Sequence, residues 1–261
     1  MRKVLSQIWR GTKRPVEAFN YFVRVMKRHN MLTEASRVRH RGERVVVTDF
    51  EAAGVKKNDP VVLQHLNRYQ WVLSKVKGLD SLDAGCGSGY GTHYLATQGA
   101  SKITGVDISA VAIDWCNSHF QADNLRYRQM DVRHLEFGDG AFEAVISFDV
   151  IEHLEPADQL RYVSEVARVL GNGGRAIIGC PNARANDDDN NPFHLHELTR
   201  EEFDALLRRH FPDVALYTQK RMVTDTRMGR LPVWLSMPRN TFEITEGYEE
   251  SGVGLLAVCR K

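Results

Sequence analysis

From about residue 60 onwards, the chain alternates between short apolar runs and longer amphipathic stretches. The apolar runs predict seven strands: 79–83, 103–106, 125–129, 144–147, 176–180, 214–218 and 255–259. The amphipathic stretches predict helices over 61–77, 111–120, 156–170 and 199–208, and a further helix that begins near Gly91. This alternation is typical of an α/β fold, here with a doubly wound, largely parallel, seven-stranded sheet.

The chain before residue 59 has a different pattern. Apolar positions there form a helical stripe behind Pro15: Phe19, Phe22, Val23 and Met26. We predict a basic N-terminal helical extension over 1–58 and a main domain over 59–261, with an irregular insertion at about 222–247. We expect the stripe to pack on the main domain. The alternatives are contact with an anionic membrane surface or a partner, and an organellar transit peptide.

Composition and charge narrow the class of protein. Of the 261 residues, 43% are hydrophobic, which is enough to fill a core. The first 44 residues hold 12 lysines and arginines but only three acidic residues, so with a total charge of +2 the remainder carries −7. The four cysteines are scattered without a C-x-x-C pair, which predicts reduced thiols and no zinc site. No apolar run approaches the roughly 18 residues of a membrane span. We therefore expect a cytoplasmic protein whose basic arm is a candidate contact for a membrane surface or a partner.

A glycine-rich turn follows the first predicted strand, with Asp83 at its mouth and glycines at Gly85, Gly87 and Gly89. Alternate glycines allow a tight backbone turn and a close approach to a ligand. The dinucleotide fingerprint needs a third glycine where this chain has Tyr90 or, in the other register, Thr92, so a hydride-transferring enzyme is disfavoured. A carboxylate at this position would repel a diphosphate but attract an ammonium or sulfonium group.

Acidic residues also end the next strands of the predicted sheet. Asp107, Asp131 and the pair Phe148-Asp149 all fall at predicted carboxyl ends. Because ligands of doubly wound sheets bind at these ends, we expect the acids to share one crevice. A carboxylate at Asp107 can accept both hydroxyls of a ribose.

Two longer segments carry a resemblance to a known family. The pattern D-x-G-x-G-x-G over 83–89 resembles the first motif of class I S-adenosylmethionine-dependent methyltransferases. The segment FEAVISFDVIEHL over 142–154 resembles their fourth-strand motif, and VLGNGG over 169–174 resembles their "RVLKPGG" turn without its proline. The resemblance covers about 60–220 and implies the Rossmann-like fold of that class, with S-adenosylmethionine as cofactor.

A narrower resemblance points to bacterial methyltransferases of small molecules and sugars, in polysaccharide or natural-product pathways. It rests on the segments 65–69 (HLNRY), 180–182 (CPN) and 191–197 (NPFHLHE). The implied function is methyl transfer to a small-molecule acceptor, with a hydroxyl of a sugar, glycan or related metabolite as the expected target.

The resemblance also implies roles for individual residues. The glycine loop with Asp83 would hold the methionine part of the cofactor, and Asp107 would hold the ribose. The remaining candidates for cofactor contact lie around these: Tyr69, Ile108, Asp131, Val132 and Phe148. Ile108 would cover one face of the adenine, while Asp131 and the Val132 amide would bind its edge. Tyr69 would close over the cofactor, with plain core packing as the alternative.

Acceptor chemistry needs a base if the acceptor is a hydroxyl, and His153 and His194 are the candidates. The alternatives are a histidine that only contacts the loop and a hydrogen-bonded loop histidine. Asp187 to Asp189 with His194 could hold a divalent cation, but we expect a solvated loop there and predict no metal site.

Other functions stay open as alternatives. Nucleic-acid methylation is not expected, because 147–150 reads Ser-Phe-Asp-Val where amino-directed enzymes of the class carry an Asn/Asp-Pro-Pro-aromatic motif. A protein methyltransferase and a non-catalytic cofactor-binding scaffold remain as alternatives. The sequence predicts no oligomeric state.

Overall fold

The computed structural model describes residues 60–185, 193–221 and 242–261. The predicted N-terminal extension over 1–58, the acidic segment Asp187 to Asp189 and most of the predicted insertion lie outside the described residues.

Five helices and eight strands make up the described part of the chain. The helices are α1 (Pro60–Val76), α2 (Tyr90–Gln98), α3 (Ala110–His119), α4 (Pro156–Val169) and α5 (Arg200–Leu207). The strands are β1 (Asp80–Ala84), β2 (Lys102–Asp107), β3 (Leu125–Gln129), β4 (Phe142–Phe148), β5 (Leu170–Pro181), β6 (Asp213–Arg221), β7 (Phe242–Glu246) and β8 (Gly254–Arg260). A single 3-10 turn, Ile151–His153, follows β4.

The strands form one sheet in the order β3-β2-β1-β4-β5-β8-β6-β7. The pairs from β3 to β5 are parallel, while β8 runs antiparallel to both of its neighbours and β7 runs antiparallel to β6. The predicted α/β fold and largely parallel sheet are confirmed, but the prediction of seven strands was wrong. The additional strand, β7, has the sequence FEITE, in which only two residues are aliphatic or aromatic. As an edge strand it buries Phe242 and exposes much of the rest, so its apolar signal is weak.

A second correction concerns residues 171–174, which the sequence analysis assigned to a turn. They lie within β5, where the pairing register with β4 shifts between Phe142 and Ala144. Gly173 adopts a φ of 75°, a left-handed conformation that glycine takes without strain. The glycine-rich segment is therefore an irregular start of the strand.

The core explains why the central segments fold as they do. Ala144 to Phe148 of β4 are all buried, as expected of a parallel strand covered by helices on both faces. In α4 the buried positions include Tyr162, Val163 and Val166, at the spacing of one helix face. Helix α5 begins with a capping box, in which Thr199 and Glu202 form reciprocal hydrogen bonds.

All four cysteines are buried and unpaired. Across the described residues, no helix combines the length and the apolar character that crossing a bilayer requires.

The sheet order places a ligand crevice at β1. From β1 the chain adds β2 and β3 on one side of this strand, and it then crosses over to add β4 and β5 on the other side. Doubly wound sheets bind ligands at such a reversal, outside the carboxyl ends of the strands. Asp83 of β1, Asp107 of β2 and the residues after Phe148 of β4 all stand at that end of the sheet.

Candidate active site

The glycine loop between β1 and α2 needs its glycines for two reasons. Gly85, Gly87 and Gly89 all have positive φ, at 85°, 56° and 81°. A Cβ added at Gly85 would lie 2.2 Å from a methyl carbon of Val150, and one at Gly89 would lie 2.5 Å from the Cys116 sulfur. Backbone conformation and packing therefore both require glycine, and the loop places the start of α2 against the crevice.

Asp83 is a buried carboxylate beneath this loop. Its Oδ2 accepts hydrogen bonds from the hydroxyls of Thr92, at 2.6 Å, and Tyr69, at 3.3 Å. Its Oδ1 has no hydrogen-bond partner among the described residues. Burial raises the pKa of Asp83 to about 6, because the two hydroxyl donors offset only part of the desolvation and the charge of Asp107 adds to the rise. A buried carboxylate with one unsatisfied oxygen suits a cationic ligand.

Asp107 connects β2 to the glycine loop. Its Oδ2 accepts from the Gly87 amide at 3.0 Å, and its Oδ1 accepts from the Ser109 amide at 2.9 Å. A carboxylate oxygen can accept more than one hydrogen bond, so these two bonds are compatible with the predicted ribose contact. The neighbouring Ile108 is 57% exposed, which leaves its side chain as an apolar surface beside that carboxylate.

Asp131 follows β3 and is already engaged by one arginine. The backbone amide, Nε and Nη2 of Arg133 all donate to its carboxylate, at 2.6 to 3.1 Å. These hydrogen bonds lower the pKa of Asp131 below its ordinary value. Arg133 was not anticipated, and it leaves Asp131 only its remaining lone pairs for an adenine amino group. The side chain of Val132 is buried, so its contact with a ligand would be through the backbone.

Tyr69 and Phe148 pack against each other next to Asp83. Their ring centroids are 5.4 Å apart in an edge-on arrangement, and the two residues are 6% and 7% exposed. A Cβ added at Gly91 would lie 2.0 Å from the Tyr69 ring, so this ring needs a glycine beneath it. The ring of Tyr69 thus fills a core position, which was the alternative for this residue. Contacts of Tyr69 and Phe148 with a cofactor stay predictions.

A buried ion pair behind the crevice was missed by the sequence analysis. Nη1 of Arg68 donates to both carboxylate oxygens of Asp149, at 2.6 and 2.5 Å, and His65 Nε2 lies 3.4 Å from the same carboxylate. Nε of Arg68 donates to Gln219 at 2.7 Å. Among the described residues, Asp149 is the one non-glycine residue with a positive φ, at 53°. Such strain persists only where the surroundings fix it, and here Arg68 provides that constraint.

His153 and His194, the two predicted candidates for the acceptor side, lie close together; their role as a base stays a prediction. Their ring centroids are 5.1 Å apart. His153 Nδ1 lies 2.9 Å from the Phe193 carbonyl oxygen, and His194 Nδ1 pairs with the Glu197 carboxylate. Glu152 lies near both rings; it is fully buried, and burial and the charge of Asp149 raise its pKa well above its ordinary value. Glu152 was not a predicted site residue.

The polar groups that line the crevice suit an adenosyl sulfonium cofactor. The unsatisfied Oδ1 of Asp83 suits a cationic group, and Asp107 suits a ribose diol. Both stand at the crevice where β1 separates β2 from β4. The glycine loop between them allows close approach of the backbone.

Comparison with known families supports this interpretation. Residues 82–178, from β1 to β5, match the methyltransferase domain family. A probable S-adenosylmethionine-dependent methyltransferase of Mycolicibacterium smegmatis is 36% identical over 148 residues, which is 53% of this chain and 54% of that protein. A fatty-acid O-methyltransferase of the same organism is 36% identical over 117 residues, 42% of each chain. The chain thus spans about half the length of the curated relatives it matches.

The fold agrees with solved structures. A methyltransferase of Thermotoga maritima, titled an S-adenosylmethionine-dependent methyltransferase and possible histamine N-methyltransferase, matches with a TM-score of 0.58 and 17% identity. That match covers 80% of this chain and 96% of the other. The domain match and the names of the sequence relatives indicate S-adenosylmethionine as the cofactor. Over β1 to β5, this chain is thus similar in sequence to the methyltransferase domain family, and its fold is similar to that of solved S-adenosylmethionine-dependent methyltransferases.

Proposed function

We propose that this chain transfers a methyl group from S-adenosylmethionine to an oxygen of a small-molecule acceptor, with a hydroxyl of a sugar, glycan or related metabolite as the target. The observation that carries the proposal is the buried Asp83 carboxylate, whose Oδ1 has no partner among the described residues and lies beneath the glycine loop. The fatty-acid O-methyltransferase among the relatives supports an oxygen acceptor.

Cofactor binding is assigned to residues around the loop. Asp83 would attract the positive charge of the ligand, and Asp107 would accept the ribose hydroxyls while it holds the Gly87 amide. Ile108 would cover the adenine ring, and Asp131 with the Val132 backbone would bind its edge. When bound, S-adenosylmethionine supplies an electrophilic methyl carbon attached to a sulfonium. The protein's part is alignment and exclusion of water.

The acceptor side is assigned to the histidines after β4 and β5. An acceptor hydroxyl oxygen would attack the methyl carbon in line, and the carbon–sulfur bond electrons would return to sulfur. The proton of that hydroxyl would pass to an imidazole nitrogen of His153 or His194. The Glu197 carboxylate beside His194 Nδ1 would orient that ring and stabilise its protonated form.

A labelled-methyl assay tests this function. Purified protein is incubated with methyl-labelled S-adenosylmethionine and a panel of reducing sugars, glycolipids, free fatty acids and primary amines. We expect label to appear in hydroxyl acceptors, and the amines to stay unlabelled. Label in amines alone would contradict the oxygen assignment, and cofactor binding without any product across the panel would favour the scaffold alternative.

Variants separate the two sides of the site. Asp107→Asn should weaken cofactor binding, whereas His153→Ala and His194→Ala should leave it intact and lower turnover, by about 10² to 10⁴-fold for loss of a general base. Full turnover in both histidine variants would contradict the assignment of the acceptor side.

A further inference from the structure

Three side chains that could bind a metal converge where the turn after β4 meets the loop after β5. Glu152, His153 and His194 each offer one ligand atom, and these atoms lie within 4.8 Å of one another. The backbone connects the two segments, because the amides of Leu195 and His196 donate to the Glu152 carbonyl at 2.8 and 3.2 Å. The cluster is therefore built from a fixed turn and a loop that hydrogen-bonds to it.

Glu152 supplies an independent observation. Its side chain is 0% exposed, and neither carboxylate oxygen hydrogen-bonds to another described residue. A buried carboxyl group without a partner is costly, and buried charges in proteins are normally paired or coordinate a metal. A cation beside the two imidazoles would give these oxygens the partner they lack.

Both histidines are held in the way that metal-binding histidines usually are. His153 Nδ1 lies 2.9 Å from the Phe193 carbonyl oxygen, and His194 Nδ1 pairs with the Glu197 carboxylate. A ring that donates from Nδ1 to such an acceptor presents the lone pair of Nε2 to an ion. The acceptor also fixes the orientation of the ring and raises its basicity as a ligand.

We infer that Glu152, His153 and His194 form a binding site for a divalent transition-metal ion. Two imidazoles and one carboxylate suit such ions, whereas Mg²⁺ and Ca²⁺ prefer sites made of oxygen ligands. Metal–ligand bonds of about 2.0–2.2 Å put neighbouring ligand atoms about 3 to 3.5 Å apart, so any pair that stands near the 4.8 Å limit must move closer on binding. Three protein ligands leave coordination positions open.

The open positions give the ion a use, and this step rests on the proposed function. An acceptor oxygen coordinated there would be polarised, and the pKa of its hydroxyl would fall. With the ion bound, His153 and His194 are its ligands, so the step keeps the methyl transfer of the proposed function but replaces its imidazole base, and the hydroxyl proton would pass to solvent. The ion would also fix the position of the acceptor oxygen.

Titration with Co²⁺ tests the site, because its visible absorption reports coordination by nitrogen and oxygen ligands. The full chain is used after removal of any histidine tag and dialysis against chelator. We expect one equivalent of Co²⁺ to bind with new absorption bands. Glu152→Gln, His153→Ala and His194→Ala should each weaken binding by at least about 100-fold, more than the 10 to 100-fold typical of lost supporting residues. His119→Ala, which removes an exposed histidine on α3, is the matched control and should bind as the parent does.

S-adenosylmethionine binding by each variant provides the second measurement. A variant that still binds S-adenosylmethionine is folded. Its Co²⁺ binding can then be interpreted whether or not the proposed function is correct. The metal site is refuted if Co²⁺ produces no new bands in the parent protein, or if the three variants bind it as tightly as His119→Ala does. Loss of cofactor binding by the parent protein would instead overturn the proposed function and leave the metal result standing.

Discussion

Ionisation of Asp83 should control how tightly the cofactor binds. Burial raises the pKa of this carboxyl to about 6, from 3.8 for an unperturbed group, and a cationic ligand needs it ionised. A group with a pKa of 6 is about one-tenth ionised at pH 5 and about nine-tenths ionised at pH 7. The dissociation constant for S-adenosylmethionine should therefore rise about tenfold when the pH falls from 7 to 5.

Proton linkage determines that cofactor affinity falls, and does not rise, as the pH is lowered. The cofactor-free protein holds a proton on Asp83 below pH 6, and binding of a cation must displace it, so affinity is lost as the pH falls through 6. The α-carboxyl group of the ligand stays ionised and its α-amino group stays mostly protonated across this window, so neither contributes a comparable change. An unperturbed Asp83 would be ionised throughout, and affinity would then hardly change.

Isothermal titration calorimetry at pH 5, 6 and 7 measures this dependence, with Asp83→Asn as the matched variant. At pH 7 the variant should bind about 10 to 100-fold more weakly, because a charge-assisted contact contributes roughly 1.5–3 kcal/mol. Its affinity should also no longer change with pH. A flat profile for the parent protein, or the same slope in the variant, would refute the assignment of Asp83 to the cationic part of the cofactor.

Three further predictions concern other parts of the site. Asp107→Ala removes the acceptor of the Gly87 amide and the proposed ribose contact, so calorimetry should show cofactor affinity about 10 to 100-fold lower; unchanged affinity would contradict the ribose assignment. Gly89→Ala places a Cβ at positive φ and 2.5 Å from the Cys116 sulfur, and urea unfolding should show a loss of at least about 2 kcal/mol in the free energy of unfolding. Arg68→Met leaves the largely buried Asp149 carboxylate with only His65 beside it and should cost up to about 3–5 kcal/mol in the same assay. Arg128→Met breaks an exposed ion pair and should cost about 0–1 kcal/mol, so equal losses in the two arginine variants would contradict the buried-pair interpretation.

Local signals let the sequence predict much of the fold. The change in the spacing of apolar residues, between that of strands and that of helices, located β1 to β5 and the helices between them. Each of these segments carries its own apolar pattern. The glycine loop, Asp83 and Asp107 were predictable because turn geometry and strand ends place them within a short stretch of chain. The capping box of α5 was predictable for the same reason, since both partners lie within one turn of helix.

Features that depend on contacts between distant segments were not predictable. Arg68 is bound by Asp149 and Gln219, which come from other elements, and no local pattern joins these residues. Glu152 lies in the motif over 142–154, but its burial beside His194 depends on how the loop after β5 folds back onto the turn after β4. Strand β7 was missed because an edge strand needs few apolar residues.

A crystal structure with S-adenosylhomocysteine tests the central claim most directly. We expect the ligand at the carboxyl ends of β1 and β2, with its ribose hydroxyls on the Asp107 carboxylate and its amino acid part against the glycine loop near Asp83. Density for the ligand at any other place, or a well-ordered crevice that stays empty at saturating ligand, would contradict it.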